Sequence, residues 1–262
     1  MPIGVFDSGV GGLTVFRALE KALPSRPLVY LGDTARVPYG PRSAETVRRY
    51  SLEAGRFLKA QGIEMLVVAC NTASSVAIPA LTDQLGIPVV GVIEPGARRA
   101  VELSESNKIG VIGTRATIAS NAYTEAIRRF DSAAEVLARA CPLFVPLAEE
   151  GWTDNDVARG VAQTYLQPFV AADVDALVLG CTHYPLLRGV IGEAMGWEVQ
   201  LVDSAEAIAF EVCRRLNQTP GEGPAEQQHR FFVTDHPAPF QAVAERFLGR
   251  PLAALEQVRI DE

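Results

Sequence analysis

Lysine is scarce in this chain of 262 residues, which contains only Lys21, Lys59 and Lys108. The first two fall in polar helical patterns, and Lys108 stands just before an apolar run that predicts a strand. Enzymes that use pyridoxal phosphate need a lysine in the site to form a Schiff base with the cofactor. Because none of the three lysines is placed at a predicted site, chemistry that depends on pyridoxal phosphate is not expected.

Signals of membrane insertion, of secretion and of polyanion binding are also missing. No apolar run is long enough to span a bilayer, and Pro2 leads into a predicted strand instead of the cationic and apolar stretch of a secretory leader. The formal net charge of -7 argues against direct binding of nucleic acid through its phosphates. We therefore expect a cytoplasmic protein that contacts neither membrane nor nucleic acid.

The usual nucleotide-binding loops and cysteine frameworks are absent. A GxGxxG pattern counted from Gly9 needs a glycine where the chain has Thr14, and no GxxxxGKS or GxxxxGKT segment occurs. The four cysteines contain no CxxC pair and lack the spacing of a disulfide framework. In a reducing compartment this pattern favours free thiols over disulfide bridges or a zinc site.

What the chain does contain is a pair of cysteines in closely similar surroundings, Cys70 and Cys181. Each follows an apolar run, residues 66–69 and 177–180, that predicts a buried parallel strand, and each precedes polar residues at the predicted start of a helix. A thiol there lies at the carboxyl edge of a sheet, where open α/β folds bind ligands. Because the N–H groups and dipole of a helix start stabilise a thiolate, we expect a lowered pKa for both thiols.

The similarity between the two halves extends beyond these cysteines. The chain opens with IGVFDS at residues 3–8, and IGVIGT at residues 109–114 repeats the pattern. Strands and helices alternate with short links, which is typical of parallel sheets flanked by helices. We predict an α/β fold of two pseudo-symmetric lobes, each a mainly parallel sheet flanked by helices, with the active site in the cleft between them. The first lobe is discontinuous and comprises residues 1–96 plus 207–262, and the second comprises residues 97–206.

Two cysteines, a histidine and a glutamate are also notable. Cys141, expected in a strand, and Cys213, on the apolar face of a predicted helix, have the surroundings of small buried hydrophobes, so we expect structural roles. His183 stands two residues after Cys181, where a group that carries a proton is useful. Glu149 follows an apolar run, where it is either a site residue or part of a solvated loop or helix start.

A long polar loop, residues 32–41, follows the second predicted strand. Loops of this length in compact folds usually carry function. Ser43, just after the loop, is placed to cap the next helix.

Six motifs spread along nearly the whole chain resemble those of the bacterial glutamate racemases, in the cofactor-independent aspartate/glutamate racemase family. They are GVFDSGVGG at 4–12, YLGD at 30–33, VPYG at 37–40, ACNTA at 69–73, GVIEP at 91–95 and LGCTHYPL at 179–186. No motif position departs from the family pattern. Together these motifs are highly specific.

The resemblance implies an isomerase that interconverts L- and D-glutamate without cofactor or metal and supplies D-glutamate for peptidoglycan. It implies that Cys181 takes the Cα proton from L-glutamate and Cys70 takes it from D-glutamate. It implies assistance to these thiols from Asp7, Glu149 and His183. The implied substrate contacts are Asp7, Ser8, Tyr39, Gly40, Asn71, Thr72, Thr182 and His183. The expected partners are the small-molecule substrate and a second copy of the chain in a homodimer.

The chemistry explains why two thiols are needed. Inversion of an amino-acid Cα removes a weakly acidic proton from one face and returns a proton to the other, and one base on one face would only regenerate the starting enantiomer. A thiolate and a thiol that exchange states with each turnover satisfy this requirement. Because the two halves differ beside the cysteines, we hypothesise that Asp7 serves Cys70, and that His183 with Glu149 serves Cys181.

Two alternatives remain open from the sequence. One is an aspartate racemase or another two-cysteine racemase of the same superfamily, which a comparison of substrates distinguishes. The other, from a different class, is a two-lobed ligand-binding or regulatory protein without catalysis. Ligand binding without exchange of the Cα proton would favour the latter.

Overall fold

The computed structural model describes residues 1–222, 228–252 and 254–260, which form alternating strands and helices. The strands are β1 Ile3–Asp7, β2 Leu28–Gly32, β3 Met65–Val68, β4 Val89–Gly91, β5 Lys108–Gly113, β6 Glu135–Ala140, β7 Ala176–Gly180, β8 Gln200–Asp203, β9 Arg230–Val233 and β10 Leu255–Gln257. The helices are α1 Leu13–Ala22, α2 Ala44–Ala60, α3 Asn71–Leu85, α4 Ile93–Leu103, α5 Arg115–Ala119, α6 Ala122–Phe130, α7 Phe144–Glu150, α8 Asp156–Ala171, α9 Arg188–Met195, α10 Ser204–Arg215 and α11 Pro237–Leu248, with a 3₁₀ helix at Tyr184–Leu187.

The strands form two sheets with the same order of strands at their centres. The larger sheet runs β10-β9-β2-β1-β3-β4 and the smaller runs β6-β5-β7-β8. The order β2-β1-β3-β4 in the larger sheet corresponds strand by strand to β6-β5-β7-β8 in the smaller sheet. Every paired strand among the described residues is parallel to its neighbour. The predicted α/β class with two parallel sheets flanked by helices is confirmed, and the repeat seen in the sequence is a repeat of topology.

The repeat places β1 and β5 at equivalent central positions. Every residue of β1 is buried, as is every residue of β7 beside β5. Strands buried on both faces read as continuous apolar runs, and this is why the IGV segments and the runs before the cysteines stand out in the sequence. The carboxyl ends of four central strands, β1, β3, β5 and β7, therefore lead into loops that carry the candidate site residues.

The chain passes from one sheet to the other through helix rather than loop. Strand β4 ends at Gly91, and α4 already begins at Ile93. Pro95 lies in the first turn of α4, where an N–H group has no partner inside the helix, so a proline is tolerated. The predicted cap is present at the earlier helix α2, where Ser43 Oγ accepts the Thr46 N–H at 3.3 Å.

The C-terminal part of the chain returns to the larger sheet. Strand β9 pairs with β2, and β10 adds to β9 at the edge. The lobe boundaries at residues 96 and 206 stay predictions, and residues 223–227, 253 and 261–262 of the predicted first lobe lie outside the described part of the chain. None of the helices in the described part combines the length and apolarity that crossing a membrane requires.

The two cysteines with predicted structural roles are both buried. Cys213 lies in α10, as expected. Cys141 does not lie in a strand, because β6 ends one residue earlier at Ala140. The Cys141 N–H nevertheless donates to the Gly113 carbonyl at 2.9 Å, which continues the hydrogen bonding between β6 and β5 past the strand end.

Candidate active site

One cavity of about 440 Å³ receives residues from the carboxyl ends of both sheets. Ser8 follows β1 and Cys70 follows β3 in the larger sheet, whereas Thr114 follows β5 and Cys181 follows β7 in the smaller one. The full lining is Ser8, Val37, Pro38, Gly40, Pro41, Cys70, Asn71, Thr72, Thr114, Arg115, Pro142, Val145, Pro146, Glu149, Cys181, Thr182 and His183. Both thiols thus line the same cavity.

A larger groove, of about 730 Å³, lies between α4 and α10. Its lining carries arginines and acidic residues, including the Glu211 and Arg214 ion pair, but none of the predicted site residues. The groove is larger than the cavity that contains the thiols, but ligand sites are defined by a few convergent polar groups rather than by volume. The cavity with the thiols is therefore the candidate active site.

The Cys70 thiol caps the long helix α3. The Ala73 N–H donates to Sγ at 3.4 Å, and Sγ donates to Ser8 Oγ at 3.5 Å. Cys70 is only 6% exposed. This is the predicted position at a strand-to-helix junction, with the helix N–H groups directed at the sulfur.

The expectation of a lowered pKa for the Cys70 thiol is wrong. Burial raises the pKa of Cys70 to about 12, and the negative charge of Asp7 adds to the effect. The Ala73 N–H and the Ser8 hydroxyl favour the thiolate but offset only part of the increase. Loss of water around the sulfur outweighs the helix start here, and the neutral thiol is the form that these surroundings favour.

Asp7 lies behind the cavity wall. It is fully buried and is absent from the cavity lining, although it directly precedes Ser8. Oδ2 accepts the Gly9 N–H at 3.0 Å, and Oδ1 has no hydrogen-bond partner among the described residues. Burial raises the pKa of Asp7, while the charge of His183 and nearby backbone N–H groups oppose that increase. This carboxyl group acts on the cavity through its charge and its neighbours.

Cys181 has a different set of neighbours. Its Sγ lies 3.8 Å from His183 Nδ1, and His183 Nε2 lies 2.8 Å from Glu149 Oε1. The His183 side chain is 10% exposed and that of Glu149 is 40% exposed. The three groups form a chain from the buried sulfur to the solvent side of the cavity.

The charge of His183 follows from this chain. Burial disfavours the imidazolium ion, but hydrogen bonds to Cys181 and Glu149 and the negative charges of these groups outweigh burial and raise the pKa of His183 to about 10. At neutral pH the imidazolium ion can donate Nε2–H to Glu149 and Nδ1–H to a Cys181 thiolate. The sequence hypothesis that pairs His183 and Glu149 with Cys181 is in keeping with this geometry.

The glycine-rich loop after β1 makes room for this arrangement. A Cβ atom on Gly11 would lie 2.3 Å from Thr182 Oγ1 and 2.5 Å from His183 Nδ1. Thr14, where a dinucleotide loop would have glycine, donates its hydroxyl to the Thr182 carbonyl at 3.0 Å. The loop that failed the dinucleotide pattern thus packs its backbone against the Cys181 side of the site.

Three threonine hydroxyls connect the two halves beside the cavity. Thr72 Oγ1 lies 2.9 Å from Thr114 Oγ1 and 3.2 Å from Thr117 Oγ1, and the latter two lie 3.0 Å apart. Thr114 was not predicted as a site residue, although the sequence repeat already aligned it with Ser8. Arg115, Pro142 and Val145 were also missed, because they match no motif and neighbour the site only in the folded chain. Val37 and Pro38 lie in the VPYG motif but were not named as site residues.

Two predicted substrate contacts have contrasting positions. Asn71 lines the cavity, and its Oδ1 accepts the Tyr123 hydroxyl at 2.7 Å while Nδ2 has no partner among the described residues. The Tyr39 side chain is buried, donates its hydroxyl to Asp33, and is absent from the lining, whereas the adjacent Gly40 lines the cavity. Contact of Tyr39 with a substrate would therefore have to come from its backbone.

The described part of the chain has no group of three His, Cys, Asp or Glu side chains arranged to bind a metal ion. The cavity instead presents two thiols, hydroxyls, an amide and the paired imidazole.

Comparison with known proteins agrees with this set of groups. The family described as Asp/Glu/Hydantoin racemase matches residues 3–212. The chain belongs to this family. Among curated relatives, a glutamate racemase from Geobacter metallireducens is 58% identical over 261 residues, which covers 99% of this chain and 97% of that protein. A glutamate racemase from Syntrophus aciditrophicus is 48% identical with the same coverage.

Solved structures distinguish the branches of the family. A glutamate racemase isoform from Bacillus anthracis has a TM-score of 0.92 at 41% identity and covers 98% of this chain and 97% of its own. A structure of an aspartate racemase homologue from Pyrococcus horikoshii has a TM-score of 0.62 at 16% identity and covers 83% of this chain and 99% of its own, which shows the shared fold alone. The predicted resemblance to the glutamate racemases is confirmed.

Proposed function

We propose that this protein interconverts L- and D-glutamate through two-base proton transfer at Cα, with Cys70 and Cys181 acting on opposite faces of the substrate. The observation that carries the proposal is the single cavity lined by both thiols, one after β3 and one after β7. The curated relatives named glutamate racemase, and a structure of the Francisella tularensis enzyme in complex with D-glutamate, support the choice of substrate.

The surroundings of the thiols support one starting state. Cys70 begins as a thiol, because burial raises its pKa to about 12. The reaction from L-glutamate requires Cys181 as a thiolate, and the His183 imidazolium ion, with Nδ1 at 3.8 Å from Sγ, is placed to stabilise it. The thiolate removes the Cα proton of L-glutamate, and Cys70 donates its proton to the opposite face to give D-glutamate. The two sulfurs have then exchanged protonation states, and the reverse reaction begins from the exchanged state.

The negative charge that develops at Cα and on the α-carboxylate needs hydrogen-bond donors. Asn71 Nδ2 is buried, unpaired among the described residues and adjacent to Cys70, and the first N–H groups of α3 lie beside it. Donors that are fixed before the reaction stabilise a developing anion without reorganisation. We assign substrate contacts to Ser8, Gly40, Asn71, Thr72 and Thr182. Asp7, His183 and Glu149 assist the thiols.

The product has a defined use. D-glutamate is a component of peptidoglycan, so the proposed role is its supply to cell-wall synthesis in the cytoplasm. We further propose that the protein works as a homodimer.

The test uses purified protein without added cofactor. Optical rotation of L-glutamate should decay to zero, and L-aspartate at the same concentration should remain unchanged. Faster loss of rotation with aspartate would favour the aspartate racemase alternative. Glutamate binding by calorimetry without loss of rotation would favour the non-catalytic binding protein.

A further inference from the structure

One wall of the cavity is a segment without helix or strand, residues 33–42, which we call the cavity loop. It supplies Val37, Pro38, Gly40 and Pro41 to the lining. It also reaches the other half of the molecule, because the Gly40 carbonyl accepts the Ala116 N–H at 3.2 Å. The cavity loop therefore borders the space where the substrate must fit.

The cavity loop has few backbone hydrogen bonds of its own. Two are present, from the Arg36 N–H to the Asp33 carbonyl at 3.2 Å and from the Arg42 N–H to the Tyr39 carbonyl at 2.9 Å. The Asp33 N–H also donates to the Asp7 carbonyl at 3.0 Å where the loop begins, and the rest of the segment depends largely on side-chain contacts.

One buried carboxylate gathers those side chains. Asp33 is fully buried, and Arg36 Nε donates to both of its oxygens at 2.8 and 3.1 Å. The Tyr39 hydroxyl donates to Oδ2, and the Thr234 hydroxyl donates to Oδ1 at 2.9 Å. Thr234 also accepts the Ala35 N–H at 2.9 Å. Three donor groups thus fix residues of the cavity loop to the end of β9 through a single charge.

Arg36 is itself held on its far side. Its Nη1 pairs with Glu53, and its guanidinium carbon lies 4.1 Å from the centroid of the Tyr50 ring. Glu53 and Tyr50 belong to α2, so this partly buried ion pair connects the cavity loop to a long helix as well as to the sheet. Loss of the Asp33 charge would leave Arg36 paired with Glu53 alone and would remove the acceptor that Tyr39 and Thr234 share.

We infer that Asp33 is a positioning residue that fixes the cavity loop as one wall of the substrate cavity. This inference rests on the proposed function. Asp33 does not line the cavity, and neither thiol is among its hydrogen-bond partners. Its loss should therefore weaken the binding of glutamate more than it slows proton transfer.

The test compares Asp33→Asn with wild type and with Glu64→Gln. Asparagine has nearly the same shape as aspartate, but its amide N–H₂ group replaces one of the oxygens that accept hydrogen bonds from Arg36, Tyr39 and Thr234. We expect KM for L-glutamate to rise about tenfold while kcat falls less than about threefold. Glu64→Gln breaks a partly buried ion pair with Arg26 away from the cavity loop and should leave both constants unchanged.

A second measurement does not depend on activity. Trypsin cleavage after Arg36 requires release of the buried guanidinium, so it should be faster in Asp33→Asn than in wild type and unchanged in Glu64→Gln. Tyr39→Phe removes only one hydrogen bond to Asp33, so it should raise KM by a smaller factor than Asp33→Asn does. This variant replaces Asp33→Asn in the test if Asp33→Asn does not fold. An unchanged KM in these variants, or a fall in kcat alone in proportion to the folded fraction, would overturn the inference. If wild type lacks racemase activity, the proposed function is wrong, but the trypsin cleavage rates still test whether Asp33 fixes the cavity loop.

Discussion

The Cys70 and Cys181 sides of the cavity have the same place in the fold but different chemistry. Both cysteines follow the third strand of the repeated four-strand order. Cys70 begins a long α-helix and is surrounded by the Ser8 hydroxyl, a backbone N–H and the buried Asp7 behind them. Cys181 precedes a 3₁₀ turn and contacts an imidazole that pairs with a partly exposed carboxylate.

This difference shows what the duplication supplies and what it leaves to individual residues. The repeated topology brings one thiol from each half to a common cavity. The surroundings of each thiol depend on side chains that are not repeated. The counterpart of His183 in the first half is Thr72, and the counterpart of Asp7 in the second half is Gly113. The positions of the two thiols in the fold are equivalent, whereas the groups around them differ.

The largest expected effect comes from removing either thiol. Cys70→Ser and Cys181→Ser should each lose about 10³-fold or more in kcat/KM in both directions, because a hydroxyl is a far weaker base and general acid–base catalysis contributes about 10² to 10⁴. Polarimetry with each enantiomer measures the loss. The matched control is Cys213→Ala, which removes a buried thiol outside the cavity and should keep full activity. Near-normal racemisation by either serine variant would contradict the two-thiol mechanism.

The glycine loop offers a smaller and sharper test of the Cys181 side. In Gly11→Ala the new methyl group would meet Thr182 and His183 at under 3 Å. Displacement of catalytic groups by about 1 Å costs about 10²-fold in rate, so kcat/KM should fall by about that factor. Gly9→Ala is the control, because its Cβ would meet only Val37 at an ordinary 3.5 Å. Equal activities of the two variants would show that this packing does not position His183.

The asymmetry itself can be tested with isotopes. The two enantiomers have equal free energy, so kcat/KM must be the same in both directions in every variant, and a rate comparison cannot separate the two sides. Substitution Asp7→Asn should make the Cys70 step limiting, and His183→Asn should make the Cys181 step limiting, each with about a tenfold loss of kcat/KM.

Glutamate deuterated at Cα reports which step limits. In Asp7→Asn the isotope effect should grow when D-glutamate is the substrate and shrink with L-glutamate, and His183→Asn should show the opposite pattern. If both variants change the two isotope effects alike, the assignment of Asp7 to one side and His183 to the other is wrong.

The smallest expected effect is a shift of the pH profile. Because the pKa of His183 is raised to about 10, wild type should lose activity as the pH rises through about 10, and His183→Asn should lack this step. A pKa raised by folding stabilises the folded state fully below the ordinary value of 6.5, and this contribution disappears as pH rises to about 10. The difference in unfolding free energy between wild type and His183→Asn should therefore shrink over that range in urea titrations.

Much of this architecture could be predicted because it depends on local patterns. Continuous apolar runs predict the central strands, and the IGV repeat predicts the duplication that the strand order shows. The motif around Cys181 located His183 beside the thiol. These signals lie within a few residues of one another in the sequence.

Other features depend on contacts between distant segments and were missed or wrong. The raised pKa of Cys70 results from burial in the folded chain and from the charge of Asp7, which no helix-start pattern records. The partners of Asp33 include Thr234, which lies far along the chain. Tyr39 belongs to a motif that resembles a substrate-binding segment, yet its hydroxyl is engaged by Asp33.

The most direct test of the two-thiol mechanism follows the Cα hydrogen in heavy water. Purified protein is incubated with L-glutamate in D₂O, the reaction is stopped at a few per cent conversion, and the enantiomers are separated for mass spectrometry. The experiment is repeated from D-glutamate. Two thiols on opposite faces predict that the product carries deuterium while the remaining substrate keeps its proton, from either starting enantiomer. Deuterium in the remaining substrate at the same early rate as in the product, or product that retains the original proton, would contradict transfer by two separate bases.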